Sequence, residues 1–256
     1  MKRIILSIIS SLFLICTSVS AQFSRFPVNG VIEFEKKINM HALIKKNINK
    51  NNESYMNQAF ELYKKSQPQF KISKSTLSFS KDKTLFTPIE STDPPSFFST
   101  HPAAMQINTV FNDLSANTSS IQKTVFDQMF LVKDTTRSIK WKITDENREI
   151  AGYSCRRANA IVMDSIYVVA FYTDQIPVSS GPEVFTGLPG MILGLALPHD
   201  HVTWFATSVS DKPLEKPLTP PAKGKVIDKK GLYKTLESSF KQYGEDLQTV
   251  LKIYML

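Results

Sequence analysis

Residues 181–209, with the sequence GPEVFTGLPGMILGLALPHDHVTWFATSV, constrain the fold of this chain most. Pro189 and Gly190 suit the central positions of a type II turn, because proline presets φ and glycine accepts a positive φ. The apolar run at 191–197 has the length of a buried strand, and the segment at 202–209 is typical of a second strand. The stretch therefore predicts a β-hairpin that begins after a glycine turn.

Two blocks of the sequence carry a resemblance to a known family. The first is the motif GLPGMI, whose residues are Gly187, Leu188, Pro189, Gly190, Met191 and Ile192, and it follows a G-P-E-x-F segment. The second is W-K-I-T-D-E-x-x-x-I-A-G-Y-x-C-R-R-A at 141–158. Both resemble the GLPGLI family, secreted proteins largely of the Bacteroidetes. The name motif has leucine where this chain has methionine, a change that conserves volume. The resemblance extends over about residues 30–209, and it implies no catalytic residues because the family has no established activity.

Residues 1–21 have the pattern of a secretory signal peptide. A basic start precedes an apolar run at 4–15, and small residues end at Ala21. That run is shorter than the ~20 residues of a membrane-spanning helix. We expect cleavage after Ala21 rather than lipidation of Cys16, because Ile15 is not the small residue that lipidation normally requires. The mature chain is then expected to be exported, periplasmic or extracellular, with no transmembrane segment.

Charge and cysteine content exclude some classes of protein. Cleavage would remove two basic residues and lower the formal net charge from +8 to +6, and the lysines are spread along the chain. Without a basic stripe that carries interleaved aromatics, we expect no nucleic-acid partner. Cys155 would be the only cysteine left, so no intramolecular disulfide can form. Its place in an alternating strand favours a small buried hydrophobe over a catalytic thiol.

Short alternating segments dominate the rest of the chain. We predict strands at 31–40, 70–86 (a hairpin), 107–112, 119–126, 128–133, 140–143, 148–162 and 166–172. Residues 45–66 are either a short amphipathic helix or a solvated excursion, and 88–104 is a long loop. Many short strands without intervening helices favour antiparallel sheet.

The C-terminal part changes character. Residues 211–227 are rich in proline and predict a stiff linker, and 228–256 predict an amphipathic helix with Asp228 as its N-cap. We expect that helix to pack on the domain formed by 22–210. The predicted fold is mostly β (α+β), an antiparallel β meander or partly closed barrel with a C-terminal amphipathic helix packed on it.

The sequence contains no familiar catalytic motif. We find no G-x-S-x-G elbow, HExxH, P-loop or strand-borne GxGxxG, and therefore assign no catalytic residue. At the hairpin tip, His199 and His201 would face the same side of an extended segment, as two ligands of Zn²⁺ or Cu²⁺ would. Protein metal sites usually need three or four ligands, so the alternative is a polar loop that happens to hold histidines.

Trp204 and Phe205 are the candidate groove residues. On a regular strand they point to opposite faces, so one belongs to the core and the other is free to line a groove. An apolar groove on a curved sheet could hold a lipid-like or peptide ligand. The alternative is that the C-terminal helix fills the groove.

These observations favour a non-enzymatic binding or interaction module of the cell envelope that needs no cofactor. Its ligand or partner is an envelope protein, a peptide or a lipid-like molecule. Two alternatives remain: a metal-binding protein that uses His199 and His201, and an envelope enzyme related to proteolysis whose residues no motif reveals.

Overall fold

The computed structural model describes residues 26–90, 98, 108–125, 127–241 and 247–256. Within these ranges the strands are β1 (Asn29–Asn39), β2 (Phe70–Ser80), β3 (Lys83–Pro88), β4 (Asn108–Asp113), β5 (Thr118–Val125), β6 (Gln128–Thr135), β7 (Lys142–Ile150), β8 (Tyr153–Val162), β9 (Ile166–Thr173), β10 (Met191–Leu197), β11 (Val202–Ser210) and β12 (Lys225–Ile227). The α-helices are α1 (Met40–Lys46), α2 (Glu53–Ser66), α3 (Lys229–Ser239) and α4 (Leu247–Met255).

All these strands belong to one sheet with the order β12-β6-β5-β4-β3-β2-β1-β11-β10-β9-β8-β7. It consists of two antiparallel meanders, β2 to β6 and β7 to β11, which meet where β1 pairs with both β2 and β11. Only β12 joins in parallel, on β6. The predicted mostly β fold and antiparallel meander are confirmed. The sheet is open rather than a closed barrel, because β12 and β7 form its two edges.

Alternation along β1 defines which face of the sheet is buried. Ile32, Phe34, Lys36 and Ile38 are at most 5% exposed, while the residues between them are more exposed. We call the face that carries these four side chains the inner face. Strand period explains the pattern, since every second side chain points to the same side.

Contacts of helix α4 show that the sheet curls around its inner face. The Lys252 ammonium donates to the Ser165 hydroxyl at the β8–β9 turn over 2.6 Å, whereas the Tyr254 carbonyl, two residues later, accepts from Lys123 on β5. Seven strand spacings separate β5 from β9, about 34 Å in a flat sheet. A single turn of helix cannot span that distance, so the two halves of the sheet must approach each other across α4.

The C-terminal helix differs from the prediction in one respect. Asp228 is its N-cap as expected, accepting from the Gly231 amide over 2.7 Å. The helical stripe does not run unbroken to Tyr254, however, because Phe240 already leaves helical geometry. Two helices result, and the Phe240 and Tyr254 rings stack with centroids 5.2 Å apart. The break lets both helices direct their apolar faces at the same core.

Three segments outside the main strands were predicted to be helical, loop or linker. Residues 45–66 form the end of α1, a short exposed loop and α2, so the helical interpretation is correct there. Most of the predicted loop at 88–104 lies outside the described residues. The proline-rich stretch at 211–227 has no regular element until β12, whose parallel pairing was not predicted.

The turn before β10 is tighter than the predicted type II turn. Its hydrogen bond runs from the Gly190 amide to the Leu188 carbonyl over 2.8 Å, so it encloses Pro189 alone. The Met191 amide, which a type II turn would use, instead donates to Ile176. Gly190 is nevertheless essential, because a Cβ at this position would lie 2.1 Å from the Thr173 carbonyl oxygen.

We expect Gly190→Ala to destabilise the protein far more than Gly152→Ala. Both glycines have a positive φ, but a Cβ at Gly152 would meet nothing within 4 Å. Gly152→Ala should therefore cost only backbone strain, about 1–2 kcal/mol, while Gly190→Ala adds a backbone collision and should cost at least ~3 kcal/mol. Urea unfolding of the two variants measures this difference. Equal losses would contradict the close approach at Gly190.

Candidate functional site

The connection between β9 and β10, residues 174–190, lies against the inner face of the sheet, and we call it the signature loop. It is fixed to distant strands by side-chain hydrogen bonds. The Ser180 hydroxyl bonds to Thr84 on β3 over 3.0 Å, and Asn108 on β4 donates to the Glu183 carboxylate over 2.9 Å. The G-P-E-V-F segment is therefore buried, whereas Gly187 and Pro189 of the G-L-P-G segment are exposed. The hairpin predicted after this segment is confirmed by β10 and β11.

Backbone geometry shows how tightly the signature loop is fitted. A Cβ at Gly181 would lie 2.6 Å from the Ile192 Cβ, so only glycine fits there. Glu183 has φ +55°, the left-handed region that is costly for a residue with a side chain. Such a conformation persists only where surrounding contacts determine it. The Glu183 side chain makes such a contact, since its carboxylate accepts the hydrogen bond from Asn108.

Glu183 belongs to a cluster of buried polar side chains on the inner face. Lys36 on β1, Asn108 on β4, Lys123 on β5 and Glu183 are each 8% exposed or less, and we call these four residues the inner polar cluster. Asn108 and Lys123 are direct neighbours in the β4–β5 register. Glu183 attracts both lysines, and its carboxylate is the acidic group of the cluster.

Burial controls the protonation of this cluster. Desolvation lowers the pKa of Lys123 to about 8, although attraction by Glu183 raises it in part. Desolvation lowers the pKa of Lys36 as well, again against the attraction of Glu183. The pKa of Glu183 is raised by its own burial, while Lys36, the Asn108 hydrogen bond and Lys123 oppose that change. Each partner therefore stabilises the charge of the other in a site without solvent.

The C-terminal end of α4 closes the cluster on the β5–β6 side. Lys123 donates to the Tyr254 carbonyl, and the Arg137 guanidinium donates to the Met255 carbonyl over 2.5 Å. These carbonyls belong to the last helical turn, where the helix dipole favours cations. The two basic side chains thus dock the C-terminal helix onto the sheet.

Several polar atoms around the cluster lack a hydrogen-bond partner among the described residues. They include Ser75 Oγ, Asn108 Oδ1 and Trp204 Nε1, all on side chains at most 8% exposed. Trp204 is the direct neighbour of Lys36 in the β1–β11 register, and the Lys36 ammonium lies 5.0 Å from its ring centroid. An unpaired buried polar atom lowers the free energy of unfolding by about 1–3 kcal/mol, so these atoms destabilise the folded protein.

The structure places the two candidate groove residues on opposite faces. Trp204 is 4% exposed on the inner face, whereas Phe205 is partly exposed on the outer face. There Phe205 lies beside Gly194, where a Cβ would be 2.9 Å from the Phe205 ring, and Arg148 lies over that ring at 5.9 Å. The two side chains therefore do not line a common groove.

The two histidines lie at the hairpin tip, but the tip is not extended. Pro198–Asp200 form a 3-10 turn, and His201 has a left-handed conformation with φ 57°. The prediction of an extended segment, on which the metal site depended, is therefore wrong. Lys46 donates to the His199 carbonyl over 2.9 Å and pairs with Asp200 at 3.4 Å. That ammonium would repel a second cation. Metal binding by His199 and His201 stays a prediction.

Metal-binding clusters and membrane-spanning helices are both absent from the described ranges. These ranges contain no group of three or more His, Cys, Asp and Glu side chains arranged to hold a metal ion. Among the described helices, none has both the length and the apolar character to cross a membrane.

Sequence reasoning missed the inner polar cluster although the signals were present. Lys36 occupies the same alternation phase as Ile32 and Phe34, and Lys123 lies between Ile121 and Val125 in the same way. A lysine in the apolar phase of a strand indicates a buried charge. Glu183 stands in the G-P-E-x-F segment, but nothing in the sequence relates it to either lysine.

The fold and site define a class: an open, curled antiparallel sheet whose inner face holds a motif-bearing loop and a buried charged cluster. A family model described as "Protein of unknown function (Porph_ging)" matches residues 160–194, which include the whole signature loop. None of the curated proteins matches the sequence.

Two similar solved structures are PNGF-II in a C2 and in a P21 space group. Their TM-scores are 0.49 and 0.47, with 15% and 16% sequence identity. In each case 78% of this chain is covered, but the chain spans only 31% of the other protein's length.

We expect Lys123→Met to reduce the pH dependence of stability between pH 8 and 10. In the folded wild type the Lys123 pKa is about 8, whereas the unfolded chain keeps the proton to about 10.5. The unfolded state then binds more protons, so wild-type stability should rise across this window, by on the order of 2 kcal/mol from this group. The exposed Lys133→Met variant should retain the rise. Identical pH slopes for wild type and Lys123→Met would contradict the burial of a charged Lys123.

We also expect Cys155 to be unreactive in the folded protein. The side chain is fully buried, and desolvation raises the pKa of the thiol to about 12. In a chain that starts at Gln22, alkylation by iodoacetamide at pH 8 should be at least about 10³-fold slower when folded than in urea, because the thiolate is the nucleophile. Comparable rates in both states would contradict the interpretation of Cys155 as a small core residue.

Proposed function

We propose that this chain is an exported member of the GLPGLI family that acts in the cell envelope as a non-enzymatic binding module. The inner polar cluster is the observation that carries the proposal. Charged and unpaired polar groups inside a curled sheet are costly for stability, and such groups are typical of a ligand site that has a few oriented polar atoms in an apolar surround. A purely structural core would be more stable with apolar residues in their place.

Family membership and export rest on sequence. The GLPGMI motif, the block at 141–158 and the match of residues 160–194 to a family of unknown function support membership. The signal-peptide pattern of residues 1–21 supports a periplasmic or extracellular location for the mature chain.

The proposal of a non-enzymatic role rests on how the motif residues are used. Gly181 and Gly190 allow close backbone approach, Ser180 and Glu183 bind neighbouring strands, and the Cys155 thiol is held in its neutral form. Each of these groups has a structural task, which leaves none of them free to act as a nucleophile or general base. The envelope enzyme related to proteolysis remains the alternative.

Native mass spectrometry of the protein purified from its own envelope fraction tests the proposal. We expect a chain that begins near Gln22, with a bound small molecule, peptide or stoichiometric protein partner. A full-length chain that stays in the cytoplasm would contradict export. A bare mature monomer would contradict the binding role and direct the search to enzyme activity. A mass excess of one Zn²⁺ or Cu²⁺ ion, lost after His199→Ala and His201→Ala, would replace the proposal with the metal-binding alternative.

A further inference from the structure

A cavity lies between the N-terminal half of α3 and the C-terminal end of α4. It has a volume of about 360 Å³, is open to solvent, and is lined by Lys229, Lys230, Tyr233, Lys234 and Met255. We propose that this cavity, which we call the lysine pocket, binds a single-chain amphiphilic anion, a fatty-acid carboxylate being the simplest case. The inference goes beyond the binding role of the inner polar cluster and concerns a different site.

Both walls of the lysine pocket are fixed to the end of β6 and the residues that follow it. The α3 wall is held by the Lys229 amide, which donates to the Asp134 carboxylate over 3.0 Å, and by the Lys229 ammonium, which donates to the Thr135 carbonyl over 2.6 Å. The α4 wall is held by the Arg137 guanidinium, which donates to the Met255 carbonyl over 2.5 Å. That bond uses the backbone of Met255, so its side chain can line the pocket. The pocket is therefore formed in advance, as most small-molecule sites are.

Apolar surface forms the wall of the lysine pocket. Tyr233 and Met255 come from facing helices, and the methylene stems of the three lysines add to their apolar surface. The Tyr233 hydroxyl lies 3.5 Å from the Gln248 amide nitrogen of α4, so its polar end is at the contact between the helices. The volume of the pocket is near the lower limit of the roughly 300–1,000 Å³ that ligand pockets have. Such a volume suits one hydrocarbon chain better than the two chains of a phospholipid.

The charge at the rim of the pocket is one-sided. Residues 223–241 contain six lysines and two acidic residues, and one of the acidic residues, Asp228, already accepts from the Gly231 amide. Lys230 and Lys234 lie four residues apart on one face of α3, where like charges destabilise a helix. Within the part of the chain that the structure describes, neither of these two ammoniums has an ion-pair or hydrogen-bond partner. An anionic head group between them would relieve the repulsion while its chain covers the apolar wall.

A double variant, Lys230→Gln with Lys234→Gln, tests the rim without endangering the fold, because both side chains are exposed. Lys216→Gln with Lys241→Gln is the matched control, since these lysines are also exposed, do not line the pocket, and change the net charge by the same amount. Met255→Gln is a second, independent variant that keeps the side-chain length but makes the apolar wall polar. Thermal unfolding verifies that every variant is folded.

Calorimetric titrations at constant ionic strength would use octanoate, octanol, octylammonium and acetate. We expect wild type and the control double variant to bind octanoate with a Kd below about 1 mM, and the Lys230 and Lys234 double variant to bind it about tenfold more weakly, because two ammonium attractions are lost. Met255→Gln should also weaken octanoate binding, because the chain then covers less apolar surface. Octanol and octylammonium carry the chain without the negative charge, and acetate carries the carboxylate without the chain. Each of these three should bind at least about tenfold more weakly than octanoate.

Three results would overturn the inference. These are no binding of octanoate by wild type, equal octanoate binding by wild type and the Lys230 and Lys234 double variant, and binding of octanol or acetate as tight as that of octanoate. Flotation with phosphatidylglycerol vesicles that depends on the two lysines, in a protein that does not bind octanoate, would replace the proposed ligand with a membrane surface. The double variant leaves the inner polar cluster unchanged. An adduct on the envelope protein that survives in this variant would therefore support the proposed function whatever the result with octanoate.

Discussion

The burial of the Glu183 carboxylate with Lys36 and Lys123 is the interaction on which the rest of the structure depends. Each of these groups is unfavourable inside the protein when alone, because desolvation of a charge costs several kcal/mol. Their mutual attraction acts on a loop residue in a left-handed conformation, and it links three separate parts of the chain: β1, β5 and the signature loop. The loop in turn can reach its place only because Gly181 and Gly190 allow backbone and side chains to approach closely. The motif residues therefore place Glu183, and with it the inner polar cluster, on the inner face of the sheet.

Curvature of the sheet follows from the same set of contacts. The signature loop connects β9 and β10 to β3 and β4, and α4 connects β5 to the β8–β9 turn. Both elements cross the inner face, so the sheet curls without closing into a barrel. Lys123 belongs to both connections, since it is attracted by Glu183 and donates to the end of α4. One buried lysine thus links the packing of the C-terminal helix to that of the motif.

Local patterns predicted the strands, while long-range contacts decided what the sequence could not reveal. Period-two alternation located β1 to β6 and β8 to β11 well, and Asp228 was identified as a cap from its position before an apolar stripe. The tight turn at Pro189, the 3-10 tip at His199 and the helix end at Phe240 were missed, because each depends on neighbours distant in sequence. The lysines of the cluster were visible as exceptions to the alternation, but their partnership with Glu183 exists only in the folded chain. The sequence could therefore predict two buried lysines, but it could not predict the site that they form with Glu183.

A double-mutant cycle between Glu183→Gln and Lys36→Met tests the central claim most directly. The free energies of unfolding of wild type, both single variants and the double variant would be measured in urea at pH 7. If the buried charges support each other, each single change leaves a charge uncompensated, and the double variant should be more stable than the sum of the single losses implies, by about 2 kcal/mol or more. Losses that add to within about 0.5 kcal/mol would mean that the two charges do not interact, and that the signature loop is held in place by something other than its buried carboxylate.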